Sequence, residues 1–243
     1  MIKNYDKLFL VMQMIGKLKK IWKNSFIFKL IKKHIDNKFR SKITNTEFTI
    51  LCPNCIGGVI YNRLGQRFNS PTVNLSMTTS DFCSLLENLE YYLAQDVEIT
   101  DPREDGVPRG RIKGNAACPD IILDFIHYKT FEDGRAKWNE RKTRIKRDNT
   151  YVIAYDIDNM HAEKPEDAGY INDDDFAKFE AFPCNNKILL TRNPECKRAH
   201  SFYIEPHYNE PYPLVYLNSN VFGMQGYEGK FDFVSFLNSK KEK

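Results

Sequence analysis

Four short apolar runs limit what this chain can become. Glu47–Leu51, Asp120–His127, Tyr151–Tyr155 and Lys187–Thr191 are strand-length and rich in β-branched and aromatic residues. Helical patterns alternate with them. Gly57–Leu64 follows the first run, Thr130 with Asp133 opens a helix to about Lys146 after the second, and Asp173–Phe182 runs to Pro183 after the third. Phe82–Leu93 adds a helix with Leu85, Leu86, Leu89 and Leu93 on its core side and Thr79 or Ser80 as its cap. Such alternation predicts an α/β body whose helices cover a mostly parallel or mixed sheet. Residues 94–119, broken by Pro102, Gly106, Pro108, Gly110 and Gly114, read as loop. Residues 202–238 are aromatic and irregular, and end in the short run Phe231–Leu237.

Charge divides the chain further. Residues 1–42 carry twelve Lys or Arg against Asp6 and Asp36, a net of +10, and residues 43–243 carry 24 basic against 30 acidic residues, a net of −6. The excess basic charge therefore sits at the front, not on the folded body, and no nucleic-acid partner is expected. Three segments follow: a basic amphipathic stretch (1–42), the α/β domain (43–238) and a charged tail (239–243). Within the first, Ile15, Leu18, Trp22, Phe26 and Leu30 share a stripe of a lysine-rich helix. Residues 15–42 fit an anionic membrane surface, and equally a helix docked on the acidic body. The six cysteines are too scattered for a disulfide scaffold, and neither a secretory leader nor a bilayer-spanning run stands out. The expectation is a cytoplasmic protein, at most peripheral on the inner face of the membrane.

The most chemically pointed stretch is Thr49-Ile-Leu-Cys-Pro-Asn-Cys55-Ile-Gly-Gly58. A cysteine in the first turn of a helix feels the positive end of the backbone dipole, which favours a thiolate. Gly57 and Gly58 let a carbonyl or phosphate approach the backbone, or else serve a tight turn. His127 ends a strand, the edge at which α/β sheets bind ligands. A Cys55–His127 pair suits acyl transfer, with Asn54 or backbone N–H groups holding the oxyanion. The alternative is a buried cysteine and a core histidine.

Three other constellations compete. Cys52 and Cys55 form half of a zinc site that Cys196 and His200 would complete. Asp156-Ile157-Asp158, directly after a strand, has the form of a divalent-metal motif for nucleotide-sugar transfer, or is a solvated acidic loop. Lys137, Arg141 and Arg144 share a helix face suited to a phosphate or sugar-acid carboxylate, or to pairing with Glu140 and Asp148. Arg109 and Arg111 offer a second anion-binding possibility.

Spaced blocks over residues 43–238 resemble a known family. They are Phe48–Leu51, Asn54-Cys55-x-Gly57-Gly58, Tyr61, Leu64-Gly65, Asn69–Pro71, Leu86–Leu93, Phe125–Lys129, Lys137-Trp138-x-x-Arg141-Lys142-x-Arg144-Ile145, Asp148-Asn149, Asn186-Lys187 and Phe231-Asp232. Together they are similar to the bacterial domain of unknown function 1919, whose members are often labelled exopolysaccharide biosynthesis proteins. The chain departs from that pattern at Ile56, Cys52-Pro53 and Lys146-Arg147. The resemblance implies a three-layer α/β/α fold with a mixed, mostly parallel sheet, and a role in surface-polysaccharide assembly. It adds Tyr128, Lys129, Trp138, Arg144 and Asn149 to Asn54, Gly57, Gly58 and Arg141 as substrate-binding candidates around Cys55 and His127. The implied partners are an activated donor and a glycan or lipid-linked precursor, and no cofactor is specified. The expected activity is acyl transfer through Cys55. A metal-dependent glycosyltransferase using Asp156 and Asp158, or a non-catalytic glycan or lipid-carrier binding component, stands as the alternative.

Overall fold

The computed structural model describes residues 26–156, 170–191, 193–204 and 231–239. Its elements are α1 (Phe26–Arg40), β1 (Thr49–Leu51), α2 (Ile56–Leu64), α3 (Thr79–Glu87), α4 (Leu89–Ala94), β2 (Val97–Ile99), β3 (Arg109–Ile112) and β4 (Ile121–Asp124). There follow α5 (Phe131–Lys142), a 3-10 turn (Arg147–Asn149), β5 (Thr150–Tyr155), α6 (Asp173–Ala181), β6 (Asn186–Thr191), β7 (Ser201–Tyr203) and α7 (Phe233–Asn238).

The fold is α/β, as the alternation predicts. Parallel and antiparallel pairing are divided between two sheets: β1-β5-β6-β7, parallel throughout, and β2-β3-β4, antiparallel. Two-residue periodicity gives the parallel sheet two apolar faces. Ile50, Tyr151, Ile153, Tyr155, Ile188 and Leu190 pack with α2, α7 and the end of α1. Leu51, Val152, Ala154 and Leu189 face the other core, shared with α3, α4, α5, α6 and the antiparallel sheet. Trp138 belongs to that second core at 1 % exposure.

β1 is a sheet edge, and the chain closes it with a side chain. The Tyr61 hydroxyl donates to Phe48 O (2.9 Å) and accepts from Ile50 N–H (3.0 Å), so the buried strand keeps its backbone groups paired. Beside it, segment 72–77 straps the two sheets together. Cys52 N–H donates to Thr72 Oγ1 (3.2 Å), Met77 N–H to Pro53 O (3.0 Å), and Ser76 and Asp124 exchange two backbone hydrogen bonds of 2.8 Å.

The expected long strand over Asp120–His127 is shorter and belongs elsewhere. It covers Ile121–Asp124, lies in the antiparallel sheet, and is buried only at alternate positions. His127 stands in the turn that follows, closed by Tyr128 N–H to Phe125 O (3.0 Å). The basic front helix is described from Phe26 onward, and Ile15, Leu18 and Trp22 lie outside the described residues. Its last turns dock on α2, where Asp36 takes Arg63 Nε and Lys32 Nζ at 2.9 Å each. Its stripe residues Phe26 and Leu30 are exposed, at 74 % and 51 %.

Candidate functional site

The strap assembles the site. It fixes the turn after β4 against the start of α2, and Cys55 Sγ and His127 Nε2 meet at 2.9 Å although 72 positions separate them. Cys55 is the N-cap of α2, half-buried, and His127 is exposed. The two side chains form a dyad.

The thiol is not the helix-stabilised thiolate that its position predicts. Its sulfur accepts no N–H from the helix, because Asn54 Oδ1 takes the Ile56 N–H at 3.1 Å. Burial then pushes the Cys55 thiol up to about 11. A protonated thiol becomes nucleophilic only as its proton passes to Nε2 during attack. The Asn54 side-chain oxygen is engaged by that bond.

The paired glycines serve packing. An added Cβ on Gly57 would lie 2.9 Å from Cys52 Sγ, and one on Gly58 would lie 2.7 Å from Asn74 Oδ1 and 3.0 Å from Val73 Cγ1. Both are buried and let α2 press on the strap; they do not open the backbone to a ligand. Neither is left-handed; among the described residues Gly65 and Gly106 are the left-handed glycines. Asn74, with φ of 66°, turns the strap beneath Gly58, a contribution that sequence reasoning missed.

Other candidates separate cleanly. Tyr128, next to His127, accepts a hydrogen bond from Arg141 Nη1 (2.8 Å), which also donates to Val73 O (2.7 Å). Burial raises the Tyr128 phenol, Arg141 and Lys137 oppose that rise, and Cys55 is close enough to add to it. Arg141 is buried and acts as a strut beneath the site, its guanidinium 5.1 Å from the Phe68 ring centroid. Arg144 and Lys137 line a cleft beside it, together with Arg67 and Gln66, which the sequence reading did not single out. A basic residue two positions beyond the helix-ending Gly65 is the one local signal for Arg67. Lys129 is exposed in the turn before α5.

Four expectations are corrected. Trp138, read as a substrate contact, is a core side chain because it faces the sheet side of α5. Asn149, read likewise, precedes β5 at the opposite end of the parallel sheet from Cys55, where it bonds Asn45, Glu47 and Asn185. The zinc half-site does not close: Cys52 is fully buried with its thiol on Asn54 O (3.1 Å), and His200 faces Glu180 at 3.4 Å. Among the described residues no three metal-ligating side chains converge. Arg109 and Arg111 are taken up by Asp124 (2.7 Å) and Glu98 (2.9 Å) across their own sheet. Asp156 is buried at the end of β5 and accepts from Thr191 Oγ1, while Asp158 lies outside the described residues.

No described helix is long and apolar enough to cross a membrane. An uncharacterized protein of Haemophilus influenzae is 29 % identical over 209 residues, covering 84 % of this chain and 90 % of that protein. The family model for the domain of unknown function DUF1919 matches residues 26–238, from the first turn of α1 to the last of α7, and the chain belongs to that family.

Proposed function

We propose that the chain is a transferase of surface-polysaccharide assembly that moves an acyl group from an activated donor to a glycan or lipid-linked precursor. The 2.9 Å contact between Cys55 Sγ and His127 Nε2 at the mouth of α2 carries this reading. The sulfur attacks the donor carbonyl carbon, the S–C bond forms, and the thiol proton goes to Nε2. Collapse of the oxyanion breaks the bond to the leaving group, which takes that proton, and leaves a thioester on Cys55. His127 then accepts the proton of an acceptor hydroxyl as its oxygen attacks the thioester, and the thiol is restored.

The glycan assignment follows the family resemblance. A peripheral position at the inner face of the membrane agrees with exposed Phe26 and Leu30 beside exposed Lys29 and Lys33 on α1.

The test uses p-nitrophenyl acetate and acetyl-coenzyme A as donors, with the protein followed by mass spectrometry. One acetyl group should appear on Cys55, none on Cys55→Ala, and His127→Ala should slow its arrival by about 10²–10⁴-fold. Acetylation of Cys55→Ala at the wild-type rate would sink the mechanism.

A further inference from the structure

The cations on α5 and in the turn just after it do not stand alone in solvent. Lys137, Arg141 and Arg144 face Gln66, Arg67 and Phe68 across a cleft of about 270 Å³, and Glu140 is the one acidic side chain in its lining. Glu140 is shared among Lys137 Nζ (2.6 Å), Arg144 Nη2 and, at 4.0 Å, Arg67. Arg141 is occupied by Val73 O and the Tyr128 hydroxyl. Four cations thus line the cleft against one carboxylate, an excess of three positive charges. Desolvation and the neighbouring Arg67 pull the Arg144 guanidinium pKa down, a strain that an anion between the two would relieve. Gln66 also lines the cleft, and its Oε1, enclosed just behind the surface, has no hydrogen-bond donor among the described residues. A second cleft of about 430 Å³ shares Gln66, Arg67 and Arg144 and adds Lys146, which Glu47 pairs at 2.9 Å.

We propose that this cleft binds a sugar phosphate, with Arg67, Lys137 and Arg144 on the phosphoryl group, Gln66 accepting from a sugar hydroxyl, and Glu140 holding the cations until phosphate displaces it. The excess positive charge suits a phosphate dianion, and cations converging from separate backbone segments suit a group with three terminal oxygens better than a planar carboxylate. The cleft is linked to the dyad through Arg141, which bonds Tyr128, the neighbour of His127. This names a substrate class for the reading above and depends on that reading only for what is done to the sugar.

Glucose 1-phosphate, inorganic phosphate and glucuronate are titrated calorimetrically into the full chain, into Cys55→Ser, and into Arg67→Gln, Lys137→Gln and Glu140→Gln. Arg67 is the least risky substitution, because 72 % of its side chain is exposed. Glucose 1-phosphate should bind most tightly and glucuronate most weakly. Arg67→Gln and Lys137→Gln should each weaken the phosphates by about tenfold, Glu140→Gln should tighten them, and Cys55→Ser should change nothing. Unchanged binding in both cation variants, weaker binding in Glu140→Gln, a preference for glucuronate, or no titration at all would overturn the proposal. If Cys55 proves inert toward acyl donors while these constants behave as expected, the acyl-transfer reading fails and the phosphate site stands.

Discussion

The two ends of the parallel sheet carry similar polar residues and use them in opposite ways. Where the strands begin, Asn149 gives its amide hydrogens to Asn45 Oδ1 and Glu47 O, 2.7 Å each, and its oxygen accepts from Asn45 and Asn185. Tyr151 donates to Ser239 O (2.6 Å) and accepts from Asn45. Every member of that network is spent on another. Where the strands finish, Cys55 and His127 bond each other in a half-open position, and each keeps capacity for a third party. Residue type does not separate scaffold from site; spare hydrogen-bonding capacity does.

Trp138→Ala sharpens the contrast most. It empties a buried ring position and should cost about 3–5 kcal/mol in urea unfolding, whereas Cys55→Ser should stay within about 1 kcal/mol. A stable Trp138→Ala protein would return that residue to the list of ligand contacts. Next is Asn149→Ala, which orphans its amide partners and should cost about 2–3 kcal/mol without altering the rate at which iodoacetamide modifies Cys55. A stability-neutral Asn149→Ala that changes thiol reactivity would erase the distinction between the two ends.

A smaller effect depends on pH. Burial raises the Cys52 thiol from 9.0 to about 11, so between those values the folded chain keeps a proton that the unfolded chain has lost. The associated stability is complete below about pH 9 and is lost as pH rises toward 11. Cys52→Ala should flatten the decline in denaturant midpoint over that window. Smallest is Gly65→Ala. The position has φ of 66° and its new Cβ would lie 3.2 Å from the Arg40 guanidinium, so about 1 kcal/mol is expected, measured by thermal unfolding.

Much of the architecture could be read from the residues. The runs that became β1, β5 and β6 are apolar and bounded by turns, and the Thr130 cap opens α5 as the sequence predicts, its oxygen accepting Asp133 N–H at 3.1 Å. β2 and β3 lie inside what reads as loop, because Val97–Ile99 and Arg109–Ile112 are short, half-exposed and charged. The single helix expected over Phe82–Leu93 is two, broken at Asn88, where ψ swings to 40°. At the site, the residue types of the dyad were legible and the reason for their meeting was not. His127 reaches Cys55 from the antiparallel sheet, through backbone bonds between Ser76 and Asp124 that leave no periodic signature. Asn149 and Trp138 stand in the same kind of patterned block as Cys55, and only burial and bonding tell them apart.

The strap has a consequence in time. During synthesis the thiol leaves the ribosome 72 residues ahead of its base. Until the strap docks the antiparallel sheet beside the start of α2, the growing chain carries a cysteine with no imidazole against it. The Cys55–His127 contact therefore arrives with assembly of the fold, and a chain truncated before residue 127 cannot form it.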